Sequence, residues 1–180
     1  MIEVKKKQIL AIVTCFNRKK STINSIEKLI KGNLDTDFKF IVVDDNSDDG
    51  TKVELERCFN NVMVLSGNGN LFYSGGMRKG INYAKQQNCK YDYILFFNDD
   101  VYSEIISKMI EYSNGSDEII VGVTKNSIGA LSYGGVKKTS NFLPHFKIIM
   151  SGSSKRYCDT FNANCVLIPY HIFINLENID

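Results

Sequence analysis

Two pairs of adjacent aspartates follow apolar runs in this sequence and are its clearest candidates for chemistry. Asp99–Asp100 come after the run Tyr93–Phe97, and Asp44–Asp45 end an earlier run of the same kind. Neighbouring carboxylates repel each other and are costly to desolvate, so stability alone rarely selects them. Mg²⁺ and Mn²⁺ prefer oxygen ligands, and a pair such as Asp99–Asp100 supplies the one or two carboxylates that these ions take from a protein. A plain Asn-Asp turn, with its side chains bonded to nearby backbone N–H groups, is the structural alternative.

Alternating strands and helices are predicted to carry these residues. The predicted strands are continuous runs rich in β-branched and aromatic residues, at 8–16, 38–45, 61–67 and 91–97. The predicted helices are the segments between and after them, at 18–32, 46–59, 75–87 and 103–113. The first helix is expected to stop at Gly32, and the second is short and opens with a turn. Such alternation implies right-handed crossovers and an α/β fold with a mostly parallel sheet flanked by helices.

Polar segments follow each of the four predicted strands. They are Thr14–Arg18, Asp44–Asp49, Gly67–Gly76 and Asn98–Asp100. In open α/β sheets, ligands bind beyond the carboxyl ends of the strands. Four polar loops at one edge therefore predict a binding site more strongly than four independent turns.

The pattern changes beyond about residue 117. Segments with glycine turns predict further β structure, at 118–124, 130–138, 145–152 and 160–169. Pro169 is expected to end the last of these strands, and 170–176 to form a short helix. We therefore predict one domain over 1–180, with an α/β part at 1–116 and a smaller mixed β part at 117–180 that we expect to be truncated.

Composition excludes several other classes of protein. A chain of 180 residues with 43% apolar residues is long enough to form a globular core without metal or disulfide staples. The net charge of +2 argues against a broad nucleic-acid surface. Five scattered cysteines without C-x-x-C spacing predict neither a zinc site nor a disulfide framework, and favour a reducing, cytoplasmic location. The apolar run near the N-terminus is too short to span a membrane and predicts a strand.

Four motifs give the sequence a specific resemblance. The segments VTCFNR, VVDDNSDDGT, GNGNLFYSGGMRKGI and FFNDD, in this order, resemble the nucleotide-sugar-binding half of the family 2 glycosyltransferases. FNANCVLIP is similar to a later strand of that family. The resemblance implies a GT-A type fold, in which a nucleotide-binding α/β layer joins a smaller mixed sheet. The glycine-rich segment followed by NDD is similar to the rhamnosyltransferase-like branch, which builds bacterial surface polysaccharides.

The resemblance implies a metal-assisted donor site. Asp100 would be a ligand of Mg²⁺ or Mn²⁺, and Asp99 would face the ribose or share the metal shell. Asp45 would contact the base, which Thr14 and Phe16 would cradle together with Asn17. For Phe16, packing in the core is nearly as good an explanation.

The glycine-rich segment is neither a Walker A loop nor a clean dinucleotide-binding fingerprint. Gly76 offers close backbone approach near a helix N-terminus, where an anionic phosphate is favoured. Arg78 is placed to reach a diphosphate, and fits a solvated helix face equally well. Asn70 is a candidate to bond the nucleotide or its own loop.

The catalytic base is the missing part of the pattern. Inverting members of the family take the acceptor proton with an Asp or Glu, because attack opposite the leaving group needs a base within hydrogen-bond reach. We expect this base beyond Asp180, and neither Glu177 nor Asp180 is convincingly placed over the sugar. Asp159 is a candidate that fits a strand edge equally well.

The expected partners are a nucleotide-diphosphate sugar and a saccharide or lipid-linked acceptor, at the cytoplasmic face of a membrane with peripheral association. A non-catalytic sugar-nucleotide-binding module is the alternative that the missing base suggests. A nucleotidyltransferase is a weaker one, because the loop after the first strand has basic residues but no glycine.

Overall fold

Four parallel strands form the centre of the fold. In the computed structural model, which describes residues 5–101, 106–125, 128–139, 145–149 and 155–176, they arise from the apolar runs that predicted them. The strands are β1 (Lys7–Cys15), β2 (Thr36–Asp44), β3 (Val62–Ser66) and β4 (Tyr93–Phe97). The helices that follow them are α1 (Lys19–Gly32), α2 (Thr51–Cys58), α3 (Phe72–Gln86) and α4 (Ile106–Ser113). The predicted alternation of strand and helix is confirmed.

The later part of the chain completes this sheet and adds two small ones. Its elements are β5 (Ile120–Val121), β6 (Thr124–Lys125), β7 (Leu131–Tyr133), β8 (Gly135–Lys138), β9 (Phe146–Ile148), β10 (Thr160–Phe161), β11 (Cys165–Pro169) and α5 (Tyr170–Asn175). The main sheet has the order β3-β2-β1-β4-β11-β5, and β11 is antiparallel to both of its neighbours. The order β10-β8-β9 gives a three-stranded antiparallel sheet, and β6 and β7 pair separately. The result is a mostly parallel α/β layer with a smaller antiparallel region.

The register of the parallel strands aligns their carboxyl ends. Cys15 at the end of β1 pairs with Asp44 at the end of β2, and Asp44 pairs with Ser66 at the end of β3. The loops after these strands therefore start from the same edge of the sheet. We call this the carboxyl edge.

Alternating side chains of the central strands build a core on each face of the sheet. On one face, Ile9, Val13 and Phe97 pack in the cluster that includes Ile26 of α1 and Met109 of α4. The other face carries the remaining strand positions, with Met77 and Ile81 of α3 and Phe173 of α5. Burial on both faces explains why these strands are continuous apolar runs. Among the described residues, no helix is long and apolar enough to cross a membrane.

Several boundaries differ from their predictions. The strand expected over 160–169 is split into β10 and β11 by a turn at Ala163–Asn164, and the strand expected over 118–124 shortens to two residues in β5. Helix α3 starts at Phe72 rather than at Gly75. The predicted end of α1 at Gly32, in contrast, is confirmed. The predicted helix at 103–113 and β segment at 145–152 lie partly outside the described residues.

Close packing of α3 against β1 explains one glycine of the glycine-rich segment. A Cβ atom at Gly76 would lie 2.3 Å from the Oγ1 atom and 2.9 Å from the Cβ atom of Thr14. Only a residue without a side chain fits this approach. Gly75, one residue earlier, has more room, because a Cβ atom there would come no closer than 3.2 Å to Leu71.

Substituting Gly76→Ala should therefore destabilise the protein more than Gly75→Ala. Overpacking at Gly76 is expected to lower the free energy of unfolding by about 2 kcal/mol. Gly75→Ala should be close to neutral, since alanine gains up to about 1 kcal/mol in helix propensity. Urea unfolding of both variants measures the difference, and equal stability of the two would refute the packing argument.

Candidate functional site

Side-chain bonds lock together the loops that follow β1 and β2. The amide of Asn17 donates to the Oγ atom of Ser47 at 2.8 Å, and the Oδ1 atom of Asn17 accepts from the amide of Asp48 at 2.9 Å. The backbone of Asn17 has a φ of 52°, a left-handed conformation that asparagine tolerates better than most residues. Asn17 therefore joins two of the four polar loops, in addition to the base-binding role predicted for it.

Asp49 serves the amino ends of two helices at once. Its Oδ2 atom accepts from the amide of Lys19, the first residue of α1, at 3.0 Å. Its Oδ1 atom accepts from the amide of Thr51, the first residue of α2, at 3.0 Å. The Thr51 hydroxyl, together with these two amides, lowers the pKa of Asp49 below its ordinary 3.8. Asp49 therefore has a structural role, because it caps both helices.

Asp49→Asn should weaken the protein in a pH-dependent way. Because the folded state lowers the pKa of Asp49, its stabilisation is present above the unfolded pKa and is lost as the pH falls through the folded value. Near neutral pH the variant should lose about 1 kcal/mol of unfolding free energy, the usual size of a capping contribution. The difference from wild type should shrink in acid, in urea unfolding at several pH values. A difference that does not depend on pH would contradict this.

Asp45 holds the glycine-rich loop between β3 and α3. Its carboxylate accepts from three backbone amides, those of Gly69 at 2.8 Å, Leu71 at 2.9 Å and Phe72 at 3.1 Å. The Asp45 side chain is buried. The carboxylate therefore fixes the backbone of this loop at three points.

Phe72 begins α3 in a strained conformation. Its φ is 52°, which is unfavourable for a bulky side chain, and its residue surface is 78% exposed. The bond from its amide to Asp45 holds the backbone in place. The ring gains little from burial, so the folded structure does not compensate the strain through this side chain.

Phe72→Gly is expected to stabilise the protein, whereas Phe72→Ala is not. Glycine accepts a positive φ without strain, so the unfolding free energy should rise by about 1 kcal/mol. Alanine removes the same ring but retains the Cβ atom that causes the strain. Thermal or urea unfolding of both variants separates the two effects, and an equal gain for alanine would show that the strain is not the cause.

Thr14 and Phe16 frame the end of β1. Thr14 is half-buried against Gly76 of α3. Phe16 is 53% exposed, so core packing does not explain it. Both residues lie at the carboxyl edge, where the sequence predicted contacts to a base.

The second aspartate pair converges on one cation of the protein itself. The Nε atom of Arg18 lies 3.0 Å from Oδ2 of Asp99, and its Nη2 atom lies 3.3 Å from Oδ2 of Asp100. The Asp99 side chain is only 7% exposed, whereas that of Asp100 is 53% exposed. The hydroxyl of Ser21 on α1 donates to the backbone carbonyl of Asp99 at 2.8 Å and fixes the turn. Asp99, Asp100 and Arg18 therefore form an ion-pair cluster, which a plain Asn-Asp turn would not have.

The carboxyl group of Asp99 has a perturbed pKa. Burial raises the pKa of Asp99 to about 6, and the charge of Asp100 adds to the rise. Arg18 and the hydroxyl of Thr22, which lies 3.4 Å from Oδ2 of Asp99, oppose it. A buried carboxylate with a raised pKa beside an exposed one is typical of functional sites.

Asn98 and Asn164 connect this cluster to β11. The amide of Asn98 donates to the carbonyl of Asn164 at 3.1 Å, and their side chains form an amide–amide bond of 3.1 Å. The buried Oδ1 atom of Asn98 has no hydrogen-bond partner within the described structure. The antiparallel strand β11 thus contributes a residue to the carboxyl edge at its beginning.

The donor set of the pair fits a divalent cation. The Oδ2 atoms of Asp99 and Asp100 both face the guanidinium group of Arg18. The side chain of Asp100 is also exposed and can contact a further ligand. No group of three or more His, Cys, Asp or Glu side chains that could hold a metal occurs among the described residues. One or two carboxylates are what Mg²⁺ commonly takes from a protein, with phosphate and water completing its shell.

The remaining predicted site residues make no described contact with the aspartate pair. Asn70 is exposed, and its amide donates to Oδ1 of Asn68. Arg78 is on the exposed side of α3. Asp159 is exposed, and its carboxylate accepts from the amide of Lys138 at 2.8 Å, which is a strand-edge position.

Sequence reasoning missed Arg18 and Asn164 as members of the site. The sequence places Arg18 in the polar segment Thr14–Arg18 after the first strand, but it gives Arg18 no role of its own. Its place directly after β1, at the edge to which the aspartates were assigned, was the available signal. Asn164 carries no such signal, because its position depends on the antiparallel pairing of β11 with β4.

Two solved structures with TM-scores above 0.5 have the same fold as this chain. The mannosyltransferase PcManGT from Pyrobaculum calidifontis, in complex with GDP-Man and Mn²⁺, matches with a TM-score of 0.51 at 11% identity, over 67% of this chain and 36% of that one. An active-site mutant of LgtC matches with a TM-score of 0.54 at 11% identity, over 93% of this chain and 60% of that one. TarS 1-349 of S. aureus in complex with UDP-GlcNAc has a TM-score of 0.49 at 20% identity, over 63% and 33%. The chain thus spans about a third of two of these proteins and 60% of the third. No curated protein sequence matches the chain.

The family model described as Glycosyl transferase family 2 matches residues 10–165. This region contains β1 to β4 with the loops of the carboxyl edge, and extends to the first residue of β11. The GT-A type fold agrees with it. The chain belongs to the family 2 glycosyltransferases.

Proposed function

We propose that the carboxyl edge binds a nucleotide-diphosphate sugar and that the protein transfers the sugar to a saccharide or lipid-linked acceptor with inversion. The observation that carries this proposal is the aspartate pair that follows β4. Asp99 is buried, Asp100 is exposed, and both carboxylates pair with the guanidinium group of Arg18. PcManGT, which has the same fold, was solved with GDP-Man and Mn²⁺, and this supports the same ligand chemistry here. The rhamnosyltransferase-like branch and a role in polysaccharide biosynthesis of the cell envelope remain predictions from the motifs.

Asp100 and Asp99 are the residues that would hold Mg²⁺ or Mn²⁺. When bound, such an ion neutralises the charge that grows on a diphosphate leaving group. The buried position of Asp99 and its bond to Thr22 would orient the pair, and Asp100 would offer the accessible oxygen atoms.

The nucleotide would lie between the ends of β1 and β2. Thr14 and the exposed ring of Phe16 would contact the base, and Asn17 would hold the loop that surrounds it. Asp45 would accept from a base N–H in addition to the three backbone amides that its carboxylate already binds.

The glycine-rich loop and α3 would contribute the other donor contacts. Asn70 and Arg78 are exposed and can meet a nucleotide or diphosphate from the loop and the helix, respectively. The absence of a side chain at Gly76 brings the first turns of α3 close to Thr14. These groups do not by themselves select among uridine, thymidine and guanosine diphosphates.

Calorimetric titration tests the donor site directly. The purified protein is titrated with UDP, dTDP and GDP, each with and without Mn²⁺. Binding of one nucleotide that requires Mn²⁺ is the expected result and names the base. Metal-independent binding would leave a nucleotide pocket without a role for the aspartate pair, and no binding of any nucleotide would refute the donor site.

A non-catalytic sugar-nucleotide-binding module is the second candidate. It is favoured by Asp159, because the amide of Lys138 engages the carboxylate that was the candidate base on the acceptor side. Incubation with a bound donor and a range of saccharide acceptors separates the transferase from the non-catalytic module, since transfer or donor hydrolysis requires a catalytic group.

We propose a cytoplasmic location, with peripheral association at the membrane when the acceptor is lipid-linked.

A further inference from the structure

Arg18 contacts both of the carboxylates that would hold a metal ion. Its guanidinium group contacts Oδ2 of Asp99 through Nε and Oδ2 of Asp100 through Nη2, at 3.0 and 3.3 Å. A divalent ion held by both residues would need oxygen atoms of the same two carboxylates. Arg18 and the ion therefore compete for them.

The charge of Arg18 makes it an effective substitute for an ion. A guanidinium group stays protonated at every relevant pH, and its planar fork matches two carboxylate oxygens. Asp99 and Asp100 carry two adjacent negative charges when ionised, and one of them is buried. In the absence of metal, Arg18 is the group that offsets their repulsion.

The backbone of Arg18 is fixed, whereas its side chain is accessible. The carbonyl of Arg18 accepts from the amide of Thr22 at 2.9 Å and from its hydroxyl at 3.0 Å, at the start of α1. The Arg18 side chain is 46% exposed. The guanidinium group can therefore turn away from the aspartates without disrupting the core or the helix.

We propose that Arg18 is an exchangeable counter-cation, which neutralises Asp99 and Asp100 until a divalent cation displaces it and then turns to the diphosphate of the donor. The first half concerns the metal-free protein alone, and the second rests on the proposed function. Charge supports the exchange, because a divalent ion balances both carboxylates and a diphosphate brings new negative charge beside the released arginine. Arg18 is then a positioning residue for the pair and a binding residue for the diphosphate.

Mn²⁺ binding without nucleotide tests the first half. Electron paramagnetic resonance measures free Mn²⁺ in titrations of the wild type, Arg18→Gln and Lys20→Gln. Lys20 is exposed on the first turn of α1, so its variant removes the same charge without touching the aspartates. Arg18→Gln should bind Mn²⁺ about tenfold more tightly than the wild type, since it removes a competing charge-assisted pair of bonds. Lys20→Gln should stay within about twofold.

Nucleotide binding at saturating Mn²⁺ tests the second half. Here Arg18→Gln should bind the preferred nucleoside diphosphate about tenfold more weakly than the wild type. An arginine that only supports the structure would move both affinities in the same direction. Circular dichroism checks that Arg18→Gln is folded, and Arg18→Lys, which keeps the charge but cannot bridge both carboxylates, should give intermediate values for both ligands.

The outcomes are distinct from those of the proposed function. If Arg18→Gln binds Mn²⁺ no more tightly than the wild type, the exchange is refuted, whatever the nucleotide result. If its Mn²⁺ affinity rises and no nucleotide binds to any protein, the counter-cation role holds, and the role at the diphosphate falls together with the donor site.

Discussion

Asp100→Ala is expected to abolish the metal-dependent binding of the preferred nucleoside diphosphate. Asp100 is the exposed member of the aspartate pair, so its oxygen atoms are the accessible ones for an ion that also contacts phosphate. Loss of a principal metal ligand should weaken nucleotide binding in the presence of Mn²⁺ by at least about a hundredfold, which equals about 3 kcal/mol. Without metal, the variant should bind the nucleotide no more weakly than the wild type, because it lacks one of the two carboxylates that pair with Arg18. Isothermal titration calorimetry measures both.

Asp48→Ala is the matched control for this experiment. Asp48 is an exposed aspartate in the loop after β2, and its bond to Asn17 uses the backbone amide, which alanine retains. The control removes one negative charge at the same edge and should change nucleotide affinity by no more than about twofold. Equal losses in the two variants would mean that general charge at the edge matters, and not coordination by Asp100.

Asp45→Ala should cause the largest loss of stability among these variants. The substitution leaves the amides of Gly69, Leu71 and Phe72 without their acceptor. Each unsatisfied buried donor costs about 1–3 kcal/mol, but the partly exposed loop can recover some bonds with water, so we expect a loss of about 4 kcal/mol. Asp45→Asn should lose about half as much, because its single carbonyl oxygen can replace only part of the set.

Urea unfolding of the two Asp45 variants tests this expectation, with Asn70→Ala as the control in the same loop. Asn70 is exposed, and the bond it makes through its amide survives the substitution, so its variant should remain within about 0.5 kcal/mol of the wild type. A stable Asp45→Ala protein that has lost nucleotide binding would show that Asp45 acts on the ligand and not on the loop.

The strands and the edge that carries the site were predictable, because each depends on local pattern. Runs such as Ile9–Val13 are apolar at every position, since both faces of the sheet are covered, and this pattern marks β1, β2 and β4 without any knowledge of the partners. The edge strand β3 is also an apolar run, although Met63 is exposed. The polar residues after these strands meet at one edge because the strands are parallel and in level register. The local sequence pattern was therefore sufficient to predict that Asp45 and Asp99–Asp100 lie at the same edge of the sheet.

Features that depend on long-range pairing were not predictable in this way. The contact between Arg18 and Asp100 joins residues 82 positions apart, and the local sequence around either residue does not predict the other as its partner. The insertion of β11 between β4 and β5 likewise follows from tertiary pairing. The start of α3 at Phe72 was missed for a different reason. A bulky residue at positive φ contradicts local preference, and Asp45 imposes it from another strand.

The position of β11 has a consequence for how the protein can vary. The amide of Gly122, after β5, donates to the carbonyl of Cys165 in β11 at 2.8 Å, so the chain leaves the main sheet and returns to it at one point. Both small sheets belong to the chain between these two residues. The entropy of closing such an excursion rises by only about 0.6 kcal/mol for each doubling of its length. The sheet should therefore tolerate segments of different length between Gly122 and Cys165 without a change in the parallel strands. Each such segment would lie beside Asn164 and the aspartate pair.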